Sequence, residues 1–180
     1  MNIQLSDHFN YKKLFLFTLP SVVMMVFTSV YCVVDGFFVS NFAGKTAFAA
    51  INLIMPFIMI LGGIGFMIGT GGSALVSYTL GTGDKEKANR YFSMMVYFTI
   101  LAGILLTVLG IIFVRPIAEL FGADESMMDT CVLYGRIVIA FNAAYMLQNI
   151  FQSFFVVAEK PRLGLIVTIA AGVTNMVLDA

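Results

Sequence analysis

Two carboxylates stand where a lipid environment would make them costly. Asp35 interrupts the apolar stretch 14–43, and Asp179 lies near the end of the apolar stretch that begins at Leu163. An ionisable group at membrane depth costs about 2.5 kcal/mol or more unless it faces a cavity or a partner, so each marks a candidate site. From Leu14 to Asp35 is 21 residues, or ~31 Å of helix, and from Leu163 to Asp179 is 16, or ~24 Å. If both helices run the same way, the two acids fall at similar levels in the outer half of the membrane. Asn175, four residues before Asp179, shares its helical face. Tyr134 and Asn52 enter from the outer ends of their own segments at comparable depth. Carboxylates, amides and a phenol form an oxygen-rich set suited to Na⁺ or to a shared proton. The plainer reading is that Asp35 caps or hydrogen-bonds a neighbouring helix. Farther along, Asn142, Gln148, Asn149 and Gln152 stud one segment, where they either line a polar cavity or join helices.

The elements that must position these groups are membrane helices. Of the 180 residues 60% are hydrophobic and 11% charged, against about 25% charged in soluble domains. Mean hydropathy is +0.96. Five runs of spanning character are legible, at about 14–41, 47–80, 91–114, 130–157 and 163–180. About 20 apolar residues cross the hydrocarbon core, so the first four suffice and the fifth is cut short by the chain end. The expectation is an all-α integral membrane protein, a bundle of five transmembrane helices at residues 1–180, truncated from a longer chain. The first run is too long for a signal peptide and leads directly into further spans.

Loop charges orient the bundle. One side receives Lys12, Lys13, Lys85, Lys87, Arg90, Lys160 and Arg162; the other receives Lys45 and Arg115 with Glu119, Asp124, Glu125 and Asp129. Seven basic residues against two place the N-terminus in the cytoplasm of a multi-pass inner-membrane protein. Ten Lys+Arg balance ten Asp+Glu, so no basic field draws the chain to nucleic acid.

Other features have structural readings. Pro116 and Pro161 mark turns, while Pro20 lies about two turns inside the first span and is a candidate hinge or a tolerated bend. The second run is dense in glycine, and Gly65 and Gly69 form a GxxxG spacing that lets another helix approach. Gly63 to Gly69 imitates a nucleotide loop but lacks the strand–turn–helix context such a loop needs. Cys32 and Cys131 sit in different spans, and no disulfide between them is expected.

Val34-Asp35-Gly36-Phe37-Phe38-Val39 resembles the first-helix signature of the MATE (multidrug and toxic compound extrusion) family, closest to its DinF-like branch. Leu80-Gly81-Thr82-Gly83-Asp84 with Ala88 resembles that family's loop between helices two and three. Leu120-Phe121-Gly122-Ala123, Tyr134 and Asn175-Met176-Val177-Leu178-Asp179 match in order and spacing. The resemblance implies the first five helices of a six-helix N-terminal lobe, the C-terminal lobe lying outside this chain. It implies a secondary active transporter, not an enzyme, that exchanges small cationic amphipathic drugs for H⁺ or Na⁺ by alternating access without a cofactor. Asp35, Asp179, Asn175 and Tyr134 match the family's cation- or proton-coupling site, with Na⁺ at Asp35 and Asp179 one option. Pro20 matches a first-helix proline associated with bending. The implied partners are the lipid bilayer, the drugs and the second lobe.

Two rival readings use the same residues. A lipid-linked oligosaccharide flippase of similar architecture would present more cationic groups than Arg136. An intramembrane aspartyl protease would use the sequence Gly81-Thr82-Gly83-Asp84, but Asp84 is followed by Lys85-Glu86-Lys87 and is expected at the membrane surface.

Overall fold

The computed structural model describes residues 10–179, without the side chains of Phe42, Ala43, Met176, Leu178 and Asp179. Six α-helices account for nearly all of this: α1 (Tyr11–Phe38), α2 (Gly44–Gly81), α3 (Lys85–Leu120), α4 (Glu125–Ala140), α5 (Asn142–Val157) and α6 (Pro161–Asp179). A π-helical segment, Val39–Ala43, joins α1 to α2. An all-helical chain follows from the solvent: in lipid every backbone N–H and C=O must be satisfied within its own segment. Three stretches are long and apolar enough to cross a membrane, namely Tyr11–Asn41, Gly44–Gly81 and Lys85–Leu120.

Two expectations change. The fourth run is not one helix: α4 and α5 meet at a 49° bend, and only the bent pair together passes as a span. The five expected helices thus become six among the described residues. Pro116 does not end the third helix either, for α3 runs through it to Leu120. Membrane helices tolerate an internal proline because neighbouring groups satisfy the carbonyl it leaves free.

The helix ends follow local rules. Asp84 caps α3, its carboxylate accepting from Lys87 N–H at 2.9 Å. Asp124 caps α4 in the same way, accepting from Met127 N–H at 3.0 Å and from the Ser126 hydroxyl at 2.7 Å. At the end of α3, Ala123 N–H donates to Ala118 and Gly122 N–H to Glu119, both at 3.0 Å, a Schellman turn. Gly122 supplies the φ of +91° that such a turn requires. Pro161 opens α6, where its missing N–H costs nothing.

The chain divides into two compact units. Residues 39–153 form one. Its core is Ala50, Ile54, Ile58 and Leu61 of α2, Val114 and Ala118 of α3, and Cys131 and Ile139 of α4. Small residues bring these helices close. A methyl placed on Gly65 would stand 2.7 Å from Met146 Cα, and one on Gly69 3.2 Å from the Asn149 carbonyl oxygen and Ile150 Cα. The GxxxG pair therefore serves packing, against α5. Both cysteines are free thiols; Cys131 is buried and donates to the Ala50 carbonyl at 3.3 Å. The other unit comprises, among the described residues, 10–38 and 154–179. Within it α1 packs on α6, and a methyl on Gly172 of α6 would stand 2.5 Å from Phe27 Cε1 of α1.

Candidate functional site

Asp35 belongs to a stripe on α1. Met24, Phe27, Tyr31 and Asp35 follow at i, i+3, i+7 and i+11, and along a mostly exposed helix these four are buried or half-buried. The stripe is the face that Phe27 turns toward Gly172, so α6 is what covers it. Asp35 is half-buried and engaged by its surroundings.

On α6 the matching face runs through Gly172, Asn175 and Asp179, at i, i+3 and i+7. Asn175 is half-buried, and its carbonyl oxygen Oδ1 is buried without a hydrogen-bond partner. A buried amide oxygen left unpaired costs about 1–3 kcal/mol, so the position invites a donor or a cation. Asp179 ends α6, and its side chain lies outside the described residues. The structure thus brings the helical faces of Asp35 and Asn175 into one packed pair of helices, with Asp179 a turn beyond Asn175 on the same face.

Tyr134 belongs to the other unit. It sits on α4, half-buried against the Ala50–Ile54–Cys131 core and engaged by its neighbours. Asn52 is exposed on α2, its amide donating back to the Phe48 carbonyl at 2.8 Å. On α5, Gln148 is exposed, Asn149 donates back to Tyr145 at 3.1 Å, and Gln152 is half-buried and engaged. Asn142 is 3% exposed, so it lies within the packed helices of its unit rather than at an open surface. Pro20 lies inside α1, half-buried. Thr107 of α3 has a buried hydroxyl without a partner; a lone threonine in an apolar run carries no sequence signal for this.

Asp84 is exposed and spends its carboxylate on the α3 cap. A residue so used is a helix terminus, and the protease-like spelling around it is a glycine turn, with Gly83 at φ +86°. Among the described residues no group of three or more His, Cys, Asp or Glu side chains could hold a metal. Outside the spans, the Asp124 carboxyl is held below its ordinary value, first by the Ser126 hydroxyl bond, against a smaller upward push from desolvation.

Comparison with known proteins adds context. The sequence profile of the MatE family matches residues 20–180. The multidrug export protein MepA of Staphylococcus saprophyticus is 24% identical over 94% of this chain and 38% of its own length. The probable multidrug resistance protein YoeA of Bacillus subtilis is 29% identical over 71% of this chain and 28% of its own. A Pyrococcus furiosus transporter of the MOP superfamily, described as having a binding pocket of reversed polarity, superimposes with a TM-score of 0.87. It is 21% identical over 93% of this chain and 37% of that one. The chain therefore spans well under half the length of these relatives.

Proposed function

The chain belongs to the MatE family, and on that premise we propose that it forms the ion-coupling part of a multidrug efflux transporter, exchanging small cationic amphipathic compounds for H⁺ or Na⁺ by alternating access. Five spans, counting α4 and α5 as one, with a cytoplasmic N-terminus, make up most of the N-terminal lobe. A second lobe completes the drug cavity. The transporter works as a multi-pass protein of the inner membrane and needs no cofactor beyond its coupling ion.

The observation that carries this reading is the orphaned Asn175 oxygen on the face that α6 turns to α1. Asp35 is eight residues beyond Phe27, or ~12 Å of rise, and Asp179 is seven beyond Gly172, or ~10 Å. With both spans directed outward, the acids lie about 2 Å apart in depth, both roughly 6–8 Å beyond Asn175. A proton on one carboxyl, or a Na⁺ ligated by both, would give Asn175 Oδ1 its partner and relieve the cost of burying two like charges. Tyr134 lies in the other unit and enters the coupling set only through the family resemblance. Binding of drug and of the coupling cation are then linked, each changing the other's affinity by the same factor. Pro20 serves as the hinge of α1, with Asn52, Gln148, Asn149 and Gln152 lining the polar path.

The test is efflux by the intact protein in cells. Asp35→Asn and Asp179→Asn should each abolish ion-driven drug export with expression near normal, and Asn175→Ala should weaken the coupling. Wild-type drug resistance in either aspartate variant refutes the coupling role.

A further inference from the structure

We propose that the break between α4 and α5 encloses a bound water molecule, held by the Thr107 hydroxyl and the polar groups that open α5 at Asn142.

The break has no local cause. Ile139-Ala140-Phe141-Asn142-Ala143-Ala144 contains neither proline nor glycine, and sharp kinks otherwise arise where a side chain or a water enters the backbone ladder. Here the ladder is interrupted. Phe141 N–H donates to Val138 at 3.1 Å, one residue tighter than an α-helix, and Tyr145 N–H returns to Phe141 at 3.0 Å. α5 begins anew at Asn142 after this break, and the first N–H groups of a helix lie outside its own ladder. At a surface, bulk water bonds to such groups, but this first turn is packed. Asn142 is 3% exposed, and a methyl on Gly103 of α3 would stand 2.9 Å from Ala143 Cα.

Thr107 faces this same place. Gly103, Thr107 and Gly110 fall at i, i+4 and i+7 on one side of α3. Gly103 touches Ala143, and Gly110 faces Ile139, whose Cγ2 would lie 2.8 Å from an added methyl. Thr107 is thus bracketed between contacts to residues 139 and 143, the two sides of the break. Its hydroxyl is buried and unpartnered. Six other threonines, Thr18, Thr28, Thr70, Thr79, Thr99 and Thr174, return their hydroxyl to the carbonyl four residues back, at 2.8–3.0 Å, and among the described residues Thr107 is the one threonine whose hydroxyl is buried without a partner. Asn142 is scarcely better served, its amide donating only to the Met146 sulfur at 3.4 Å, a weak acceptor.

One small ligand answers all of these groups. A water accepts from backbone N–H and donates to or accepts from a hydroxyl and a carboxamide, and buried waters typically make about three such bonds. A cation is disfavoured because the start of a helix presents N–H groups and partial positive charge. An anion would be buried without a countercharge. The water takes the place of the interrupted ladder and fixes the bend in the span.

Met146 reports on this site: it is fully buried and its sulfur contacts Asn142. The intact protein in detergent is mixed briefly with H₂¹⁸O and pulsed with X-rays, so that hydroxyl radicals form from whatever water is adjacent. Met146 should gain oxygen, mainly ¹⁶O from the retained water, while Tyr11, 94% exposed, gains ¹⁸O. Thr107→Val should lower Met146 labelling several-fold and lower the melting temperature, and Thr107→Ser should restore both. A Met146 that stays unlabelled, takes up ¹⁸O as Tyr11 does, or is labelled equally in Thr107→Val overturns the proposal. So does a melting temperature at or above wild type in Thr107→Val, since an isosteric methyl relieves a dry, unpaired hydroxyl.

Discussion

Replacing Gly65 by alanine tests the packing of the second span. The added methyl would stand 2.7 Å from both Cα and Cβ of Met146 and 2.8 Å from its Cγ, where carbon atoms rest at about 3.5–4.0 Å. Two of those atoms are fixed by the α5 backbone, so no rotamer change clears the clash and the helices must separate by roughly an ångström. Overpacking of this kind costs about 1–3 kcal/mol, offset by the ~0.5–1 kcal/mol that alanine gains over glycine inside a helix. Gly65→Ala should therefore destabilise by about 1–2 kcal/mol net. Gly63, two residues away, has nothing within 4 Å of an added methyl, so Gly63→Ala should be neutral or stabilising. Gly72→Ala is an intermediate case, because its nearest atoms, Cγ and Sδ of Met95 at 3.2 and 3.3 Å, belong to a flexible side chain. Thermal unfolding of the three variants in one detergent ranks them. Gly65→Ala melting at or above Gly63→Ala would refute the assignment of Gly65 to a close helix contact. Truncating Met146 alongside should not rescue Gly65→Ala, because its Cα and Cβ remain.

Three further outcomes are expected. A single cysteine introduced as Lys85→Cys into a cysteine-free intact protein should resist impermeant thiol reagents applied outside cells and react once the membrane is opened; labelling from outside reverses the topology. The Asp124 cap should give acid sensitivity. Its folded-state pKa is depressed, so its stabilisation of the α4 start is fully present above the unfolded value near 3.8 and is lost as pH falls through the lower folded value. Asp124→Asn keeps a cap acceptor and should flatten that part of the melting-temperature profile below about pH 4, whereas an unchanged acid limb refutes it. Finally, Pro20→Ala restores a backbone donor within α1 and should slow transport more than it weakens equilibrium drug binding. Transport at the wild-type rate makes Pro20 a tolerated residue and removes the hinge.

What the sequence determined by itself is what depends on nearest neighbours and on the solvent. Apolar runs of membrane length must become helices, because lipid offers the backbone no other partner. Asp84 and Asp124 start helices because a short carboxylate reaches the N–H three residues on, and Gly122 ends one because a positive φ suits glycine. The stripe of Met24, Phe27, Tyr31 and Asp35, and the alignment of Asn175 with Asp179, are likewise readable as helical spacing. Tertiary structure decided what depends on how helices are turned against one another. Gly65 and Gly69 meet α5 while Gly63 and Gly71 meet nothing within 4 Å, a distinction set by the rotation of α2 and invisible in a glycine-dense run. Pro116, a local breaker, leaves α3 intact, whereas Phe141, with no breaker beside it, ends α4. The reason is the same in both cases. Within lipid, whether a helix bends or runs on depends on the groups packed beside its backbone, and those groups come from elsewhere in the chain.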